Sequence, residues 1–90
     1  MTNQELNARA AEIMGYTVNG ITGDIMEVRG KWNPAENIAQ AFVLAHEMCE
    51  DYELKYNGDI YDFTIAGVLR RSDSLSDAIT RACVAAAERK

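Results

Sequence analysis

Leu6, Ala10 and Ile13 recur at helical spacing near the start of the chain, behind residues that match a capping box. Thr2 offers its hydroxyl to the first turn, Glu5 reaches back, and Gly15 supplies a left-handed stop. These signals predict a first helix ending at about Met14. Tyr16 and Val18, then Ile25 to Arg29, are strand formers separated by Asn19-Gly20 and Gly23-Asp24. They predict a hairpin closed by Gly30. Asn33-Pro34-Ala35-Glu36 predicts the start of a second helix, with Asn33 as cap, Pro34 at the first helical position and Glu36 capping in return. Ile38, Ala41, Phe42, Ala45, Met48 and Cys49 give that helix a core-facing stripe that ends near Glu50.

Alternation takes over next. Tyr52, Leu54 and Tyr56 alternate with Glu53 and Lys55, Asn57-Gly58 marks a tight turn, and Tyr61, Phe63 and Ile65 alternate with Asp62 and Thr64. Arg70-Arg71-Ser72-Asp73-Ser74 reads as a polar link. Leu75, Ala78, Ile79, Ala82, Cys83 and Ala86 then predict a third helix. The order α-ββ-α-ββ-α belongs to the α/β class. It predicts an α+β sandwich in which a mainly antiparallel four-stranded sheet is packed by helices. Val84, Ala85 and Ala87 leave the rest of the third helix small and apolar. That composition suits a good helix former, and it equally suits a homo-oligomer interface through this Ala-rich C-terminal helix.

The 90 residues fit a single domain spanning 1–90, too small to enclose a large cavity. With 48% hydrophobic and 26% charged residues, the chain reads as globular and not disordered. Lys and Arg number 9 against 14 Asp and Glu, a net charge of −5 that argues against binding a nucleic acid polymer or an anionic membrane. Only 2 cysteines are present, too few for a disulfide scaffold, and the N-terminal stretch has no continuous apolar core. A soluble, reduced, intracellular protein is expected.

Candidate chemistry is sparse. His46 and Cys49 lie one helical turn apart and Cys83 is a third donor, but no fourth ligand completes a zinc set, so no metal is expected. No carboxylate pair sits in a recognisable acid–base setting, and Ser72, Ser74 and Ser76 have no base nearby in sequence. Neither a catalytic residue nor a cofactor is therefore expected. Two places suit an anion. Lys31-Trp32-Asn33 sets a cation and an aromatic ring at a helix start, where Trp32 either stacks on a base or packs back on the helix near Ile38. Arg70-Arg71-Ser72 pairs two guanidiniums with a hydroxyl before the third helix, for phosphate or for local ion pairing with Asp73 and Asp77. Tyr16 joins them as a candidate pocket wall.

Trp32-Asn33-Pro34, followed by Ile38-Ala39 and Phe42 and preceded by Met14-Gly15-Tyr16, resembles the phage ABA sandwich domain family. Ile79, Arg81 and Ala82 fit that family's Ala-rich last helix, and Tyr16 stands where it more often has Trp. The resemblance covers nearly the whole chain. It implies a phage origin, an α/β sandwich and a place in the host cytoplasm, and it carries no catalytic residues. Compact phage proteins are often anti-defence factors, which implies a non-enzymatic homo-oligomer that sequesters a small nucleotide-derived immune signal, of cyclic nucleotide or cyclic ADP-ribose type. Arg70 and Arg71 would then grip phosphate, Trp32 would stack on a base and Asn33 would order the helix start, with Lys31, Ser72 and Tyr16 around them. The alternative is an acidic protein-interaction module that inhibits or adapts a host protein.

Overall fold

The computed structural model describes residues 2–16, 32–48 and 51–88. Helix α1 runs Asn3–Met14, and the Glu5 amide donates to Thr2 Oγ1 at 3.2 Å, as the capping box requires. Gly15 turns left-handed at φ 73°, the Gly15 amide bonds Glu12 O, and the Tyr16 amide bonds Ala11 O. This double closure satisfies carbonyls that the helix end leaves without partners.

Helix α2 runs Ile38–Met48 and begins later than the sequence predicts. Asn33 to Asn37 instead form a separate turn, in which the Glu36 and Asn37 amides both bond Asn33 O. The reason is a second cap: Asn37 Oδ1 accepts the Gln40 amide at 3.1 Å and starts the true helix. The buried face is also rotated. Ala41, Leu44 and Ala45 are fully buried, whereas Ile38, placed on the stripe by its spacing, is 42% exposed.

Three strands follow, β1 Tyr52–Tyr56, β2 Tyr61–Ile65 and β3 Val68–Ser72, in the order β1-β2-β3 with both pairings antiparallel. The sheet of the described residues thus has three strands where four were expected. Of the first predicted hairpin, Tyr16 instead closes the end of α1 through its amide, and Val18 to Gly30 lies outside the described residues. The second hairpin keeps its predicted register, with Tyr56 opposite Tyr61 and Tyr52 opposite Ile65. Strand β3 corrects the predicted polar link, because Arg70, Arg71 and Ser72 are paired residues of a strand. Its turn is Ala66-Gly67, with φ 51° and 80° respectively, which is the left-handed pair that a two-residue hairpin needs.

Helix α3, Leu75–Glu88, packs against α1, α2, β2 and β3. Ala78, Ile79, Ala82, Cys83 and Ala86 are buried as the spacing predicts, but so are Ser76, Thr80 and Val84 on its other sides. Its small residues therefore let neighbours within the chain approach closely. Beneath it, Phe63 and Ile65 of β2 and Val68 of β3 form the sheet's contribution to the core. At roughly 25 cal/mol per Å² of apolar surface removed from water, burial of such side chains is the dominant favourable contribution to folding.

Candidate functional site

The Trp32 corner is a structural joint. Trp32 is only 5% exposed, its indole Nε1 donates to Asn7 O of α1 at 3.0 Å, and Tyr16 meets it edge-on at 5.1 Å and 87°. Asn33 is equally occupied: Oδ1 accepts from Asn7 Nδ2 at 2.7 Å, Nδ2 donates to Glu36 Oε2, and its amide donates to Gln40 Oε1. Asn7 Oδ1 in turn accepts the Ala35 amide, and Ser76 Oγ of α3 donates to Ala35 O at 3.0 Å. Three helices are thereby tied through one turn. A buried ring with its N–H committed has no face to offer a nucleobase. Ile38, proposed as its packing partner, is largely exposed, and Tyr16 and α1 take that place. Lys31 lies outside the described residues.

Strand β3 separates the two arginines. Successive strand residues point to opposite faces, and the register sets Arg70 opposite Phe63 on the helix side and Arg71 opposite Asp62 on the other. Arg71 Nε lies 3.0 Å from Asp62 Oδ1, an ion contact without hydrogen-bond alignment, since that oxygen is buried and accepts no hydrogen bond. Arg70 is exposed, and its Nη1 donates to Leu69 O. The Ser72 hydroxyl accepts the Ser74 amide and donates to Asp73 Oδ1, so it serves the turn into α3. The local pairing expected of these arginines takes other partners: Asp77 receives both of its contacts from Arg81 Nε, at 3.0 and 2.9 Å, and Arg71 lies against Asp62.

What the sheet does bring together is a helix-side face built from β1 and its partners: Tyr56 beside Tyr61, then Leu54, Phe63 and Arg70 in the next row. The Tyr56 and Tyr61 rings lie 4.6 Å apart at 31°. Helix α2 meets β1 at the opposite end of this face, where Tyr52 packs against Phe42 and His46. Beyond it, among the described residues, Leu54 is left 40% and Tyr56 58% exposed on β1, and Ile60 at the hairpin turn is 39% exposed. The alternation at 52, 54 and 56 reads as one half-buried strand face. Nothing in a sequence shows that the helices stop short of it.

The remaining candidates fall away from metal and anion chemistry. Burial pushes the Cys83 thiol up to about 12, so it is protonated and a poor ligand or nucleophile at neutral pH. Among the described residues, no three His, Cys, Asp or Glu side chains gather at one point. An open depression of about 350 Å³ at the other end of the sheet is lined by Asp51, Tyr52, Glu53, Thr64, Ala66 and Gly67. Its two carboxylates disfavour a phosphate.

No protein-family model matches the chain, and no curated protein matches it either. Among solved structures, a phage protein from Bacillus cereus ATCC 14579, determined at 2.0 Å, is similar with a TM-score of 0.68. The likeness covers 96% of this chain and 92% of that one at 16% identity, which shows a shared fold.

Proposed function

We propose that this is a non-catalytic phage protein that acts by contact, with the uncovered helix-side end of the β1–β2 hairpin as its working surface. One observation carries the reading. Aromatic and aliphatic side chains, Tyr56 at 58% exposure and Leu54 on the face that carries the exposed Arg70, with Ile60 at the hairpin turn, stand in solvent at this end of the sheet. Tyr and Arg around an apolar patch are the side chains that anchor protein interfaces, whereas small-molecule sites are concave and bury most of their ligand. The resemblance to the phage ABA sandwich family and the fold shared with a solved phage protein support the phage origin. The partner is then a host protein, met in the host cytoplasm.

A second reading keeps nucleotide sequestration on a relocated site. Arg70, Ser72 and the Tyr56–Tyr61 ring pair share one face of the sheet, a cation and aromatic faces within one surface. In that reading Trp32 and Arg71 drop out.

The test compares capture of host proteins by wild type, by Ile60→Asp and by Arg70→Glu, together with unfolding midpoints against cyclic dinucleotides, cyclic trinucleotides and cyclic ADP-ribose isomers. The contact reading expects a host protein held by wild type and lost with both variants, over a flat nucleotide panel. A single nucleotide that raises the midpoint by roughly 10–20 °C, as ligand at a hundred times its dissociation constant would in so small a domain, replaces it with the second reading.

A further inference from the structure

Strand β1 has β2 on one side and, among the described residues, no strand on the other. The Asn57 amide bonds Ile60 O at the hairpin turn, which fixes the ladder's phase. Glu53 and Lys55 turn their backbone groups toward β2. Tyr52, Leu54 and Tyr56 therefore present their N–H and C=O groups at the outer edge. An edge strand of this kind is a template for another strand.

We infer that the occupant of this edge is a second copy of the same chain, paired antiparallel through β1 about a two-fold axis at Leu54. The sequence Tyr52-Glu53-Leu54-Lys55-Tyr56 is self-complementary in that register. Tyr52 faces the second copy's Tyr56, Glu53 faces its Lys55, and Leu54 faces its Leu54. Parity agrees, since the three outward residues meet one another and each such pair exchanges two backbone hydrogen bonds. Slipping the register by two residues in either direction keeps parity but sets Glu53 against Glu53 or Lys55 against Lys55. Only the first alignment sets every charge of β1 against its opposite.

Both sheet faces gain from it. On the polar face, Arg71 lies across from Asp62 and Asp62 across from Lys55. The second copy's Glu53 extends that row to four alternating charges. Glu53 and Lys55 of one chain, now paired with each other at 3.1 Å in solvent, exchange partners across the axis. On the helix side, the exposed Leu54 and Tyr56 meet Leu54 and Tyr52 of the second copy and lose water. Two three-stranded sheets become one of six strands, with its helices all on one face, and the pairing is isologous as a two-fold dimer requires. Ile60 and Arg70 stay outside the contact. The pairing stands on β1 alone and does not rest on the host-protein reading.

The test is the sedimentation mass of wild type and three variants, with circular dichroism as the check on folding. Wild type is expected to be a dimer. Glu53→Lys sets Lys against Lys on both sides of the axis and is expected to weaken the dimer about tenfold or more. The double reversal Glu53→Lys/Lys55→Glu restores opposite charges and is expected to restore the dimer. Leu54→Pro removes an N–H that faces away from β2, so it leaves the chain's own ladder intact and is expected to give a folded monomer. A wild type that stays monomeric when concentrated overturns the inference. So does a dimer that survives both Glu53→Lys and Leu54→Pro.

Discussion

Trp32 shows how a residue type misleads when its surroundings are unknown. An aromatic beside a lysine at a helix start suits stacking, yet its ring is buried and its N–H is spent on Asn7 O. Its role is to be tested as stability. Trp32→Phe keeps most of the apolar volume but leaves Asn7 O without its donor, and should cost about 1–3 kcal/mol in denaturant unfolding. Trp32→Ala adds a cavity and should cost about 3–5 kcal/mol. Ala66 makes the opposite case. It holds φ 51° in the β2–β3 turn, where a side chain bearing Cβ is strained. Ala66→Gly or Ala66→Asn should raise stability by about 0.5–1 kcal/mol, read as a higher unfolding midpoint. Cys83 carries a chemical prediction. With its thiol pushed up to about 12 from an ordinary 9.0, it should resist alkylation at pH 8 in the folded protein and react readily in denaturant, assayed in a Cys49→Ser background. The sign of the linkage follows. The raised value is lost on unfolding, so this contribution is full below pH 9 and falls away as pH rises toward 12.

At the scale of elements, much of the architecture is legible because strong local signals and tertiary packing agree. The Thr2–Glu5 capping box, the Asn57-Gly58 turn with its flanking alternation, and the helical spacing of Ala78, Ile79, Ala82 and Cys83 all appear where the pattern places them. The failures are equally specific. Asn37 and Asn33 are both good caps, and sequence alone does not reveal that Asn33 is claimed by Asn7 of α1. Strand β3 was hidden by two features. Its turn uses Ala where Asn or Gly would announce it, and Arg70-Arg71-Ser72 has polar groups on both faces of an edge strand. That second miss matters most for the site, because it makes two adjacent arginines diverge. The small residues of α3 misled in the same way: an apolar surface suits a subunit interface or a central helix equally, and Val84 is buried within its own chain at 2% exposure.

For the whole molecule, the proposed contact surface is set by a mismatch of extents among the described residues. The helices cover β2, β3 and the Tyr52 end of β1, and the hairpin continues beyond them. Neither periodicity nor composition encodes where one layer ends over another, which is why Leu54, Tyr56 and Ile60 were not among the candidate site residues. The same outlying strand carries the outer edge on which self-pairing stands. The two proposed uses compete for Leu54 and Tyr56, which self-pairing buries, and part at Ile60 and Arg70, which lie outside the self-pairing contact. Ile60→Asp should abolish partner capture while leaving the sedimentation mass unchanged.

Residue-resolved amide hydrogen exchange along β1, in dilute and in concentrated solution, tests most directly whether this hairpin is the surface the molecule uses. The Glu53 and Lys55 amides, bonded to β2, should be protected at every concentration. Those of Tyr52, Leu54 and Tyr56 should exchange fast when dilute and become protected as the chain is concentrated. Protection of Leu54 in a dilute monomer would mean that the edge is covered by its own chain, and would contradict the account.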